Sequence, residues 1–193
     1  MRALHPSSRL PKSGNAALAA GAVVQAALGI EFVFAGLNKA VNPNYAQQFK
    51  GFVTASPGSQ NGPLAAVMQT VVLPNIDLAA QISKYTELVA GAVLLVTALE
   101  VARRRLSGPL GAQHGYEPLV ALLSAIAAFA LGSMSLTIFL IEGGRLPSIN
   151  PAFAFTSPIA IELLLVPLAL GIAWLEFGRF LALRAAPRAG AQA

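Results

Sequence analysis

The sequence predicts an all-α integral membrane protein, a bundle of four transmembrane helices with two short interfacial helices in its first extracytoplasmic loop. Hydrophobic residues make up 55% of the 193 residues and charged residues only 11%, whereas about 25% of a soluble domain is charged. Four apolar runs are each long enough to cross about 30 Å of hydrocarbon at about 1.5 Å per residue. We therefore expect a single membrane domain over residues 1–193.

The first apolar run predicts a span over residues 16–40, preceded by a basic, proline-containing start. The loop that follows, residues 41–77, is not featureless. Aromatic and apolar residues recur at helical spacing over 45–53, and a second apolar stripe covers 64–72. A cluster of Ser, Pro, Gly and Asn separates the two stripes, and Pro74 is expected to end the second. Two short amphipathic helices at the membrane interface explain this pattern, with a soluble loop packed on itself as the alternative.

The remaining spans are predicted over residues 78–102, 119–141 and 159–181. The second span carries Lys84 and Glu87 in its first half, and the third contains no charged residue. Each span is bounded by charged, glycine-containing or proline-containing segments, which is typical of connections outside the membrane.

The basic residues predict the orientation of the bundle. Nine Lys and Arg residues fall in residues 1–15, in the loop after the second span and at the C-terminal end, and four fall on the other side. The side richer in Lys and Arg is normally cytoplasmic, so both termini are expected there, in a bacterial inner membrane. The same distribution disfavours nucleic-acid binding, because the positive charges flank apolar runs and do not form a groove.

Ionisable side chains within the spans form the candidate polar site. Counted from the expected outer boundary, Glu31 and Glu87 lie about 12 to 13 Å deep, so they are predicted at matching depth on neighbouring antiparallel helices. Asn38 shares the helix face of Glu31, and Lys39 or Lys84 is expected to partner the acids. Such a group could bind a polar head group or relay a proton. The alternative is that these side chains only hydrogen-bond helix to helix and fix the packing.

Several chemistries are excluded by composition. The chain has no cysteine, which rules out disulfides, thiol chemistry and cysteine-ligated metals on this chain. Its two histidines, His5 and His114, fall in predicted cytoplasmic segments, so a pair of histidines cannot ligate haem within the membrane. We expect no metal site, no covalently bound cofactor and no catalytic activity of the isolated chain.

Two segments carry a resemblance to a known family. Residues 32–43, FVFAGLNKAVNP, close the first span, and residues 87–95, ELVAGAVLL, follow the loop. Together they resemble the DoxX/DoxD family of four-span bacterial membrane proteins and its relative MauE, over roughly residues 16–141. The resemblance implies an inner-membrane bundle and, for some members, participation in thiosulfate:quinone oxidoreduction or another redox complex.

The leading functional hypothesis is therefore a small membrane subunit of a respiratory or other redox complex, with a quinone or proton site at the acids and lysines named above. Its partners would be the lipid bilayer and other membrane subunits, and its ligands a quinone and lipids. The alternative is a structural or assembly subunit without chemistry of its own. A small transporter is a weaker alternative, because no inverted repeat or pair of broken helices is visible in the sequence.

Overall fold

The structure is a computed structural model that describes residues 12–107, 117–147 and 159–185, with side chains from residue 16 and, in the second long helix, up to residue 102. His5 and His114, which the sequence analysis assigns to cytoplasmic segments, lie outside the described residues. All secondary structure in the described part of the chain is helical. The α-helices are α1 (Lys12–Val41), α2 (Tyr45–Ala55), α3 (Pro57–Asn61), α4 (Ala65–Val67), α5 (Ile76–Ser107), α6 (Glu117–Ile141) and α7 (Ile161–Ala185).

Four helical stretches are long and apolar enough to cross a membrane: Ala16–Val41, Ala65–Ala102, Glu117–Ile141 and Ile161–Ala185. The predicted all-α bundle of four membrane-length helices is therefore confirmed. The first, third and fourth stretches lie within a few residues of the predicted spans. The second begins earlier than predicted.

The second stretch begins earlier than predicted because Pro74 does not end a helix. A π-helical turn, Met68–Val72, and a 3-10 turn, Leu73–Asn75, connect α4 to α5, and Met68, Leu73 and Ile76 all keep right-handed helical backbone angles. Proline lacks an N–H and its ring clashes with the preceding turn of a regular α-helix. A change of helical pitch accommodates it here. The second predicted interfacial segment, residues 64–72, is thus helically continuous with the second membrane helix, and α2 and α3 precede it.

Helices α1 and α5 pack tightly against each other in antiparallel fashion, as do α6 and α7. Glycines allow the first pair to approach closely. A Cβ atom added at Gly29 would lie 2.9 Å from the carbonyl oxygen of Gly91, and one added at Gly36 would lie 2.9 Å from the amide nitrogen of Leu88. Small residues at such positions let two membrane helices touch through their backbones.

The main hydrophobic core lies where the four long helices meet, and it draws buried residues from each of them. Its members are Leu28, Phe32, Ala90, Leu94, Ala127, Ala128, Leu131, Ala169 and Ile172. A smaller cluster around Val53, Met68 and Ile141 fastens the segment 45–75, which we call the outer cap, onto one end of the bundle. This end, where α1 stops at Val41 and α6 stops at Ile141, is called the outer end. Helix α3 is seated so closely there that a Cβ atom at Gly58 would lie 1.9 Å from the carbonyl oxygen of Leu140. The outer end of the bundle is therefore capped by packed helices.

Candidate functional site

An ion pair joins α1 to α5 near the outer end of the bundle. The ammonium group of Lys39 donates hydrogen bonds to both carboxylate oxygens of Glu87. Glu87 is 2% exposed, and the side chain of Lys39 is 26% exposed. A charge buried in a membrane bundle is costly unless it is paired. The predicted partnership of a lysine with one of the acids is thus present between these two residues.

The predicted equal depth of Glu31 and Glu87 is wrong. Gly36 lies opposite Leu88, so Glu87 faces α1 about six residues beyond Glu31, a difference in depth of about 9 Å at the helical rise. The depth was counted from a second span that enters near Ala79, whereas the register that sets Leu88 opposite Gly36 puts Ser83 level with Val41 at the end of α1. Glu31 is exposed on α1, although it remains within electrostatic range of Glu87.

The other two predicted site residues also lie outside the ion pair. Asn38 is exposed on α1. The ammonium of Lys84 lies 4.9 Å from the ring centroid of Tyr85 on the same helix, a cation–π arrangement. Of the five predicted residues, the structure brings only Lys39 and Glu87 into contact.

A tyrosine from the cap extends this polar region. The hydroxyl of Tyr45 on α2 donates to Ser83 Oγ at 3.3 Å, and the hydroxyl of Ser83 in turn points to the Met134 sulfur at 4.0 Å. Burial raises the pKa of Tyr45 above its ordinary value, the hydrogen bond with Ser83 opposes this, and the nearby Glu87 raises the pKa further. Tyr45 therefore stays a neutral phenol that can donate a hydrogen bond. Sequence reasoning assigned Tyr45 only to an aromatic helix face.

Ser83 also lines an apolar cavity of 590 Å³ between the cap, α5 and α6. Most of the wall is aliphatic or aromatic, with hydroxyl groups from Ser83, Thr86 and Thr137 and the amide of Asn75. The hydroxyl of Thr137 donates to the carbonyl oxygen of Ser133 at 2.9 Å, within its own helix. The remaining lining residues are Phe49, Phe52, Met68, Val71, Val72, Leu78, Ala79, Ile82, Met134, Ile138 and Ile141. Ligand pockets commonly combine an apolar wall with a few polar groups in this way.

A second, more polar cleft of 820 Å³ lies at the outer ends of α6 and α7. Glu142, Arg145 and Glu162 contribute its charged groups. Burial raises the pKa of Glu142 above its ordinary value, and Glu162 raises it further, while Arg145 opposes the change. This cleft faces the same side of the bundle as the cap.

A network that sequence reasoning missed links all four long helices in the half of the bundle away from α2 and α3. The amide of Gln25 on α1 donates to Ser124 Oγ on α6 at 3.2 Å and to Glu176 Oε1 on α7 at 2.9 Å. The hydroxyl of Thr97 on α5 donates to the carbonyl oxygen of Leu94 at 3.0 Å and lies 3.3 Å from Ser124 Oγ, and Arg179 donates to the other oxygen of Glu176 at 3.0 Å. The sequence does contain a signal for this network, because Gln25 and Glu176 are polar residues within apolar runs and Arg179 follows Glu176 by three residues.

The main hydrophobic core separates the two polar regions. Gln25 and Lys39 are fourteen residues apart on α1, or about 21 Å along the helix. Leu28, Phe32 and Leu94 fill the space between them and are at most 4% exposed. The described residues therefore provide no continuous row of polar side chains across the bundle.

Comparison with protein-family models finds no match, and comparisons with curated proteins and with solved structures find none either. No group of three His, Cys, Asp or Glu side chains is placed to hold a metal ion within residues 12–107, 117–147 and 159–185. Fold and site together define a multi-pass, all-helical membrane protein with a buried polar network towards one end of the bundle and a capped apolar cavity towards the other.

Proposed function

We propose that this protein is a membrane subunit of a bacterial respiratory or other redox complex, and that it holds a quinone in the cavity beneath its outer cap. The observation that carries the proposal is the apolar 590 Å³ cavity with hydroxyl groups in its wall. A quinone needs an apolar surface for its isoprenoid tail and a hydrogen-bond donor for a ring carbonyl.

Ser83 is the donor best placed to meet a quinone carbonyl. Tyr45 supplies a hydrogen bond to Ser83 Oγ, which leaves the serine proton free to donate elsewhere. That proton points to the sulfur of Met134, a weak acceptor at 4.0 Å. A carbonyl oxygen in the cavity would be a stronger acceptor, so the exchange is favourable. The buried Lys39–Glu87 pair lies close by and holds α1 against α5 beside this region.

The role as a subunit follows from what the chain itself can supply. Without cysteine it cannot carry electrons through thiols or cysteine-bound clusters, so a partner would have to deliver them to the quinone. The resemblance of residues 32–43 and 87–95 to the DoxX/DoxD family supports the same role. We place the protein in the inner membrane with both termini in the cytoplasm, and a reporter fused after Ala102 that signalled from the opposite side would contradict this orientation.

A purely structural subunit is the second candidate, and one observation favours it. Glu87 is already satisfied by Lys39, so this pair needs no ligand to compensate its charges. On this alternative the cavity would hold only lipid chains, and quinone content would not depend on its shape.

Quinone retention distinguishes the two candidates. The protein is purified in mild detergent from membranes that contain quinone, and bound quinone is extracted and quantified. Ala79→Leu adds a side chain inside the cavity, whereas Ala92→Leu makes the same change on the exposed face of the same helix. We expect quinone to fall at least fivefold in the first variant and to stay unchanged in the second. Equal retention in both would contradict the cavity as the site.

A further inference from the structure

Glu31 is an acid on the lipid-facing surface of a membrane helix. It is exposed on α1, about two turns below the Lys39–Glu87 pair, and within the described residues no side chain or backbone group bonds to its carboxylate. Carboxylates in this position are rare in membrane proteins, because hydrocarbon offers neither hydrogen bonds nor a counter-charge. Such a residue normally faces protein.

Glu31 belongs to a continuous exposed stripe along α1, which we call the α1 stripe. It consists of Ala20, Val23, Ala27, Glu31, Phe34 and Asn38, which recur every three or four residues. Phe34 is 68% exposed and Val23 70% exposed. Exposed alanines allow a neighbouring membrane helix to approach, and Asn38 adds an amide at one end of the stripe.

The charge of Glu31 indicates which kind of helix fits this stripe. A second copy in the same membrane orientation would bring one Glu31 towards another, and like charges in low dielectric repel. Nor does the described part of this chain offer a basic side chain at that depth. Its basic residues lie towards the outer end, at Lys39, Lys50, Lys84 and Arg145, or towards the opposite end, at Arg179 and Arg184. Charge complementarity favours a different chain.

We infer that the α1 stripe is a contact face for a transmembrane helix of another protein, which presents a lysine or arginine to Glu31 within the membrane. The inference deepens the proposed role as a subunit, because it names the surface and the chemistry of the partner. It is independent of the quinone cavity, whose lining does not include Glu31.

Site-specific photocrosslinking in the native membrane tests this contact. The photoreactive amino acid benzoylphenylalanine replaces Phe34 on the α1 stripe or, as a control, Trp174, which is 83% exposed on α7. We expect an adduct at position 34, formed with a chain whose cross-linked peptide is a membrane helix containing Lys or Arg, and at least tenfold less of it at position 174.

Charge exchange then tests the ion pair itself. Glu31→Lys should lower the yield of the adduct at least tenfold, and replacing the partner's basic residue with glutamate in the same cells should restore it. Because Glu31→Lys could impair insertion, Glu31→Gln serves as a second variant, and it should lower the yield at least threefold with normal protein levels.

Three outcomes would overturn the inference. These are an adduct with the mass of two copies of this chain, adducts with lipid alone, and a protein adduct that neither Glu31 variant weakens. Quinone retention measured in the same preparations reports on the cavity separately, so failure of one proposal is distinguishable from failure of the other.

Discussion

Removing the ammonium group of Lys39 should destabilise the protein strongly, because it leaves a buried carboxylate without its counter-charge. Lys39→Met leaves the carboxylate of Glu87, which is 2% exposed, without its partner. Breaking a buried ion pair from one side costs about 3–5 kcal/mol. We expect about 3 kcal/mol, the lower end of that range, because Lys39 is 26% exposed and water already screens part of the attraction between the two charges.

The companion variants separate charge from packing. Glu87→Gln should cost about 1.5 kcal/mol, because the flexible lysine can extend its charge towards water. The double variant Lys39→Met/Glu87→Gln should lie within about 1 kcal/mol of the wild type, since it buries no uncompensated charge. The coupling free energy in this cycle would then be about 4 kcal/mol.

The assay is reversible unfolding by sodium dodecyl sulfate in mixed micelles, followed by circular dichroism of the helices. Lys84→Met is the matched control, because it removes a lysine from the same end of the bundle whose ammonium lies 4.9 Å from the Tyr85 ring centroid, and about 0.5 kcal/mol is expected. Additive costs in the double variant, or a Lys39→Met cost no larger than that of the control, would refute the buried ion pair.

Three further predictions concern the outer cap, the network around Gln25 and the polar cleft. Gly58→Ala should cost about 2 kcal/mol and increase proteolysis of the loop before α4, because the new Cβ would lie 1.9 Å from a carbonyl oxygen of α6. Gln25→Leu removes hydrogen bonds to α6 and α7 and should cost about 1.5 kcal/mol, whereas Gln81→Leu, on the exposed surface of α5, should be neutral. Burial and repulsion from Glu162 raise the pKa of Glu142, so the folded protein keeps this proton to a higher pH than the unfolded chain does. The free energy of unfolding therefore falls as pH rises through the folded pKa. Glu142→Gln should lessen the accompanying fall in melting temperature between pH 4.5 and pH 7.

The sequence was sufficient to predict the membrane helices, because hydropathy and helix length determine them almost alone. It could not place the start of the second membrane helix. Pro74 is a strong local signal for the end of a helix, but a π-helical turn and a 3-10 turn absorb it. The incorrect match of Glu87 with Glu31 has a different cause, because it depends on the register of α5 against α1, which sets Leu88 opposite Gly36.

The partners within the bundle depend on rotation and register, which hydropathy does not encode. The helix α1 turns Lys39 towards Glu87 and Glu31 away from the bundle, because Gly29, Gly36 and Gly91 fix the face along which α1 and α5 touch. The network of Gln25 and Glu176 could not be predicted from the sequence for a related reason. Its members lie on different helices and 151 residues apart, so only the packed structure shows that they meet.

The central claim is that a quinone occupies the cavity beneath the outer cap, and photolabelling with an azidoquinone tests it most directly. The protein is illuminated with the probe in native membranes, digested and mapped by mass spectrometry. We predict that the label falls on cavity residues of α5 and α6 such as Ile82, Ser83 and Ile138, and that excess unmodified quinone prevents it. Labelling confined to lipid-facing residues such as Trp174, or labelling that excess quinone does not reduce, would contradict the account.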